Sequence, residues 1–171
     1  DQGDSRAMNN LALYHLSGKW GFPKDEAKAV QFLLRAVELG SGSAHYTISE
    51  YYLVGKMGLE RNVSKAKAFL EVAAKSGDTG DVGAYFALGD IAYQHGETDL
   101  ALKHWRMSAK GGLKNAVDKL IKCHQEGLIS KRSLEESMRA RHDALEEIRS
   151  EERDRYVALA RKNGEEYFQY C

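Results

Sequence analysis

Proline, cysteine and net charge are what this sequence has least of. A single proline and few runs of Val, Ile and Thr weigh against a β-rich fold, whose turns and strands draw on those residues. Two cysteines, Cys123 and Cys171, are too few and too far apart for the disulfide framework of a small secreted domain. An intracellular reducing compartment, cytoplasm or organelle interior, is the expectation, although the sequon Asn62-Val63-Ser64 keeps a secretory route open. Lys+Arg and Asp+Glu both total 25, so no broad basic surface awaits nucleic acid or anionic lipid. No apolar run approaches the roughly 18 residues that cross a bilayer, and membrane insertion is not expected. No signal peptide is visible. The chain opens on Asp1 rather than Met, the mark expected of a segment whose true N-terminus lies elsewhere.

What the chain does have is 16 glycines set in a rhythm. Ala7, Leu11 and Tyr14 stand 37 positions before Ala44, Ile48 and Tyr51, with no gap. The same offset carries Gly18 to Gly55, Gly21 to Gly58, Phe32 to Phe69, Ala36 to Ala73 and Gly40 to Gly77. A third copy starts at Ala84, shortens its loop to Gly96–Asp99, and resumes at Ala101, His104, Trp105, Ala109 and Gly112. A fourth starts at Ala116, keeps Leu120 and Gly127, and then diverges into a charge-dense segment.

Each copy predicts two helices. The first carries small or apolar residues at offsets 0, +4, +7 and +8 from its leading alanine, one stripe on a 3.6-residue period. A glycine follows where a helix end needs positive φ. The second helix alternates small and aromatic residues: Ala29, Phe32, Ala36; Ala66, Phe69, Ala73; Ala101, Trp105, Ala109. Neither helix can bury its stripe alone, so neighbouring copies must stack. The expectation is an all-α fold in one repeat domain over 1–171. Its repeats fall at about 7–40, 44–77, 84–112 and 116–149, with a capping helix over 151–170. Gly3 takes the place of a closing glycine from an earlier repeat. Ser133 and Glu136 suggest a capping box, Ser150 a helix break, and Glu135–Arg139 and Glu151–Arg155 i,i+4 ion pairs. Tyr167, Phe168 and Tyr170 are expected to dock as aromatics.

The pattern resembles the Sel1-like repeat family, relatives of the tetratricopeptide repeats. The copy that carries it most fully runs Ala44, Ile48, Ser49, Tyr52, Gly55, then Lys65, Ala66, Phe69, Leu70, Ala73, Ala74, Gly77. The resemblance spans about residues 3–127. The family's glycine after Leu is kept at Leu88-Gly89 but is Ala12 and Ser49 in the first two copies, which predicts looser helix packing there. The resemblance implies a right-handed α/α superhelix, a solenoid of helix-turn-helix repeats, that serves as an adaptor or scaffold for a protein or peptide partner. It also implies two alternatives: a substrate-recruiting module of a larger ubiquitin ligase, since some eukaryotic members carry an upstream zinc-binding RING-type domain, or a structural subunit of a large assembly.

Candidate chemistry is sparse. Cys123 and His124 invite a metal or thiol reading, but they fall at +7 and +8, two packing slots of the repeat, and adjacent helical residues diverge by about 100°. The six histidines form no ligand spacing, no glycine-rich phosphate cradle or nucleophile elbow exists, and Glu135-Glu136 and Glu146-Glu147 suit a solvated helix face. No catalytic residue, metal ligand or cofactor site is expected. Asn62 aligns with Asp25 at a helix entry, where it suits a cap as well as a glycan. What remains is the face of the first helices opposite the stripe, which in solenoids of this class lines a concave groove. Asn9, Tyr46, Glu50, Phe86, Asp90, Tyr93, Lys122 and Gln125 lie there and suit a partner segment with basic and apolar residues. The opposing expectation is that Tyr93 and the leucines of that face pack on a neighbouring copy.

Overall fold

The structure is a computed structural model that describes residues 2–77 and 81–162. Among these residues eight helices follow one another: α1 Gln2–Ser17, α2 Glu26–Glu38, α3 Gly42–Val54, α4 Val63–Ala73, α5 Asp81–Gln94, α6 Thr98–Lys110, α7 Lys114–Gln125 and α8 Lys131–Lys162. Among the described residues there is no strand. The chain forms two compact units, the first ending at Ser108 and the second starting at Ala109.

Local chemistry sets the hairpins of the first unit. The first helix of a copy stops at a left-handed glycine, Gly18 (φ 64°), Gly55 (φ 70°) or Gly96 (φ 78°). At Gly55 a Cβ would sit 3.2 Å from the Arg61 backbone nitrogen, so space as well as φ demands glycine. The returning chain is then pinned. The backbone N–H groups of Asp25, Asn62 and Glu97 donate to the carbonyls of His15, Tyr52 and Ala92, at 2.9, 2.8 and 2.9 Å. The first two of these residues also cap the next helix: Asp25 Oδ1 and Asn62 Oδ1 each accept from a backbone N–H three residues on, at 2.9 Å. The sequon asparagine is therefore a helix cap. In the two longer loops a non-glycine residue, Trp20 or Met57, holds a left-handed conformation.

Packing follows the repeat register. Ala12, Leu33, Ala36, Ala44 and Ile48 form one core cluster, and Leu70, Ala73, Ala84, Leu88 and Ile91 the next. Each cluster joins residues of two copies, so the stripe of one unit is completed by its neighbour. Leu33, Ile48 and Leu70 are fully buried, and each such side chain stabilises by about 1.5–3 kcal/mol. The aromatic of the second helix stacks on the +8 residue of the first: His15 on Phe32 at 5.6 Å and Tyr52 on Phe69 at 5.7 Å. In the third copy Trp105 takes this place, packed on Tyr93 at 5.4 Å. Packing at Ala12 and Ser49 is not loosened, because both are fully buried. Glycine is required where the aromatic is largest: a Cβ on Gly89 would come within 2.5 Å of the Trp105 indole.

The repeat register does not extend cleanly to the ends. Gly3 lies in the first turn of α1, and Ala7 is exposed where Ala44 and Ala84 are buried. In the second unit α7 buries Ala116, Leu120 and Cys123, and Gly127 (φ 75°) ends that hairpin arm. The cap of α8 is Ser130 rather than Ser133: Ser130 Oγ accepts from the Ser133 N–H at 3.2 Å. No break occurs at Ser150, and α8 is continuous to Lys162. Glu151 pairs with Arg155 at 3.4 Å as expected, but Glu135 pairs with Lys131 at 3.7 Å. Along α8, Leu134, Met138, Arg141 and Leu145 are half-buried while His142 and Ile148 are exposed. Cys171 and the aromatics at 167, 168 and 170 lie outside the described residues.

Candidate functional site

The face opposite the packing stripe is built most fully on α3 and α5, which touch directly. Tyr46 and Glu50 are one helical turn apart on α3, and the Tyr46 hydroxyl donates to Glu50 Oε1 at 3.0 Å. The Tyr46 ring lies against Gly83 of α5, where a Cβ would approach it to 3.0 Å. Burial, then the Glu50 charge and the hydrogen bond, push the Tyr46 phenol up to about 12. Tyr46 is thus half interface between copies and half surface, and Leu53 beside it packs on the same core cluster.

On α5, Asp90 Oδ1 accepts from the Trp105 indole N–H at 3.2 Å, so this carboxylate also positions the third copy's aromatic. Tyr93 is about two-fifths exposed and rests on Trp105 from outside. Phe86 is half-buried and Glu50 exposed. Asn9 is half-buried on α1, with Leu13 exposed one turn on. In the second unit Lys122 and Gln125 are exposed on α7, and Lys122 pairs with Glu126 at 3.7 Å. The structure thus joins Tyr46 and Glu50 to the helix bearing Phe86, Asp90 and Tyr93. Gly83 and Trp105 hold that face from behind: the repeat spacing marks Trp105 as a core aromatic but not as a support of this face, and no spacing marks Gly83.

The residues with potential chemistry have structural partners. His15 and His124 occupy one slot of the repeat and do one job: each Nδ1–H donates to a carbonyl of its own interhelical turn, Pro23 at 3.1 Å and Ile129 at 3.0 Å. His45 and His95 use Nδ1 on the carbonyls of Ser41 and Ile91, at 2.7 and 2.8 Å. Cys123 is buried, and burial, then the Glu126 charge, push its thiol up, away from the reactive thiolate. Among the described residues no group of three His, Cys, Asp or Glu is arranged to hold a metal ion. No helix among them is long and apolar enough to cross a membrane.

Comparison with known proteins places these features in a family. The family model described as "Sel1 repeat" matches residues 5–41, 42–78 and 82–113. No curated protein matches the chain. Among solved structures, a Sel1 repeat protein from Oxalobacter formigenes is similar over 85% of this chain and 59% of its own, with 28% identity and a TM-score of 0.65. A protective antigen of uropathogenic Escherichia coli strains, displaying an SLR fold, is similar over 73% of this chain and 27% of its own, with 25% identity and a TM-score of 0.64. The chain therefore spans less than two thirds of either. The all-helical repeat solenoid expected from the sequence is the fold these comparisons support.

Proposed function

The chain belongs to the Sel1 repeat family, and from that membership we propose that the joined face of α3 and α5 is where it holds a partner protein. Proteins of this family are generally protein–protein interaction modules. The observation that carries the reading is the combination on two touching helices of exposed aromatic surface, Tyr93 with half-buried Phe86 and Tyr46, and two carboxylates, Glu50 and Asp90. Aromatic anchors beside acids suit a peptide or helix that brings basic and apolar residues. Asn9 would extend this surface on α1, and Lys122 and Gln125 are the corresponding residues of α7. The role is a non-catalytic scaffold, supported by histidines and a cysteine that serve turns and core.

Affinity capture with the wild-type chain, compared with a Glu50→Lys, Tyr93→Ala variant of unchanged helicity, tests this. The expected result is loss of the main captured chain, with binding weakened by about 2 kcal/mol or more. Equal yields of the same chain would rule the surface out. The identity of that chain separates recruitment to a ubiquitin ligase from a place in a structural assembly.

A further inference from the structure

A cavity of about 250 Å³ opens on the first unit between the N-terminal turns of α4, the C-terminal half of α5 and the first turns of α6. It uses none of the residues proposed above for partner binding. Its floor is apolar: Leu88, Ile91 and Ala92 of α5, with Leu100 of α6. Its volume falls below the roughly 300–1,000 Å³ of pockets for drug-sized ligands, and suits a single amino-acid residue better than a cofactor.

The rim is polar and strongly uneven. Ser64 and Lys67 come from the start of α4, the positive end of that helix. Among the described residues Lys67 makes no ion pair and Ser64 no side-chain hydrogen bond. His104 faces them from α6. Where His15, His45, His95 and His124 each commit Nδ1 to a backbone carbonyl, His104 makes a ring contact with Tyr85, at 6.0 Å, and among the described residues no hydrogen bond to a carbonyl. Glu97 stands elsewhere on the rim, exposed.

We propose that this cavity takes the C-terminal residue of a protein chain, with an apolar side chain on the floor and the terminal carboxylate held by Lys67, Ser64 and His104. Only a terminal residue brings a carboxylate and an apolar side chain on the same residue. An acidic side chain brings charge without the apolar body, and an internal leucine brings the body without the charge. Glu97 accepts the amide N–H of the terminal residue and disfavours a second acid beside it. The groups that face His104 are Lys67 and Glu71 from α4, Tyr85 from α5, and Lys103 on α6, two cations against one acid. Burial first, then Lys103 and Lys67, hold its ring below the ordinary histidine range, with Glu71 opposing. An incoming carboxylate would meet the Lys67 ammonium and a ring N–H of His104 there.

The test is amide NMR of the whole chain titrated with an N-acetylated Gly-Ser hexapeptide ending in leucine, as free acid and as C-terminal amide. The expected outcome is saturable shifts at Ser64, Leu88, Leu100 and His104 with the acid, and binding at least about tenfold weaker with the amide. Lys67→Met weakens the acid by a similar factor and leaves the amide unchanged. Equal binding of acid and amide, shifts confined to other residues, or no shifts at millimolar peptide would each overturn the proposal. So would 4-methylpentanoate binding as tightly as the peptide, which would make the site one for small organic acids. None of these outcomes bears on the face of α3 and α5.

Discussion

Gly89 is a position where one added carbon has no room. The Trp105 indole that its Cβ would meet is almost wholly buried, so it cannot swing away cheaply. Gly89→Ala is expected to destabilise by about 1–3 kcal/mol in denaturant titration. Adding Trp105→Phe is expected to recover part of that loss, a coupling a double-mutant cycle measures directly. Tyr46 supplies a second prediction. Its folded phenol keeps its proton up to about 12, while an unfolded tyrosine loses it near 10. Between those values the folded state binds more protons than the unfolded state, so stability falls as pH rises through that window. Phenolate absorbance should show one late proton in the wild type that Tyr46→Phe lacks, and an unchanged titration would refute the assignment. The residue scale was partly legible in the sequence. That His15 and His124 share a slot followed from the repeat register, whereas the carbonyls they bond did not, because turn geometry is not written in spacing.

Among the helices, caps and closing glycines decide where each one starts and stops. Asn62→Ala removes the side-chain acceptor for the Lys65 N–H and is expected to cost about 0.5–2 kcal/mol. Asn62→Asp is expected to restore most of it, since Asp25 fills the same place in the first copy. Thermal melts of the two variants check this, and equal melts would mean the cap contributes nothing. The two-helix unit was legible throughout the first unit because alanine, aromatic and glycine recur at one spacing. It failed at α8. By sequence Ser133 suits a cap, because Glu136 stands three residues on, but the chain enters the helix earlier, and only the backbone path reveals Ser130. The break expected at Ser150 does not occur, since serine in a charged segment is only mildly unfavourable to a helix and its hydroxyl bonds back to the Glu147 carbonyl at 2.7 Å.

Across the whole molecule, stability is expected to be regional. Core clusters join adjacent copies, so a cavity in one copy should weaken its neighbours most. Leu33→Ala, at a fully buried site, is expected to cost about 2–5 kcal/mol. In hydrogen exchange it should speed opening of α1 to α3 and leave α7 and α8 near their wild-type rates. Uniform acceleration over the whole chain would show a single cooperative block instead. Family and fold class were legible at this scale because repetition is a long-range signal. The cavity above α5 was not, because its lining residues come from three helices in two copies and follow no period.

The backbone bonds from Asp25, Asn62 and Glu97 to the preceding helix have a consequence for how such chains change over time. They close each turn at its base, whatever lies beyond. The loops they close differ in length, long in the first two copies and short in the third, yet the same bond forms in all three. Loop length is thereby uncoupled from helix geometry. A segment such as Lys19 to Gly21 can be lengthened, exchanged or grafted with a foreign epitope while both helices keep their register. The solenoid can therefore acquire new loops without having to re-evolve its core.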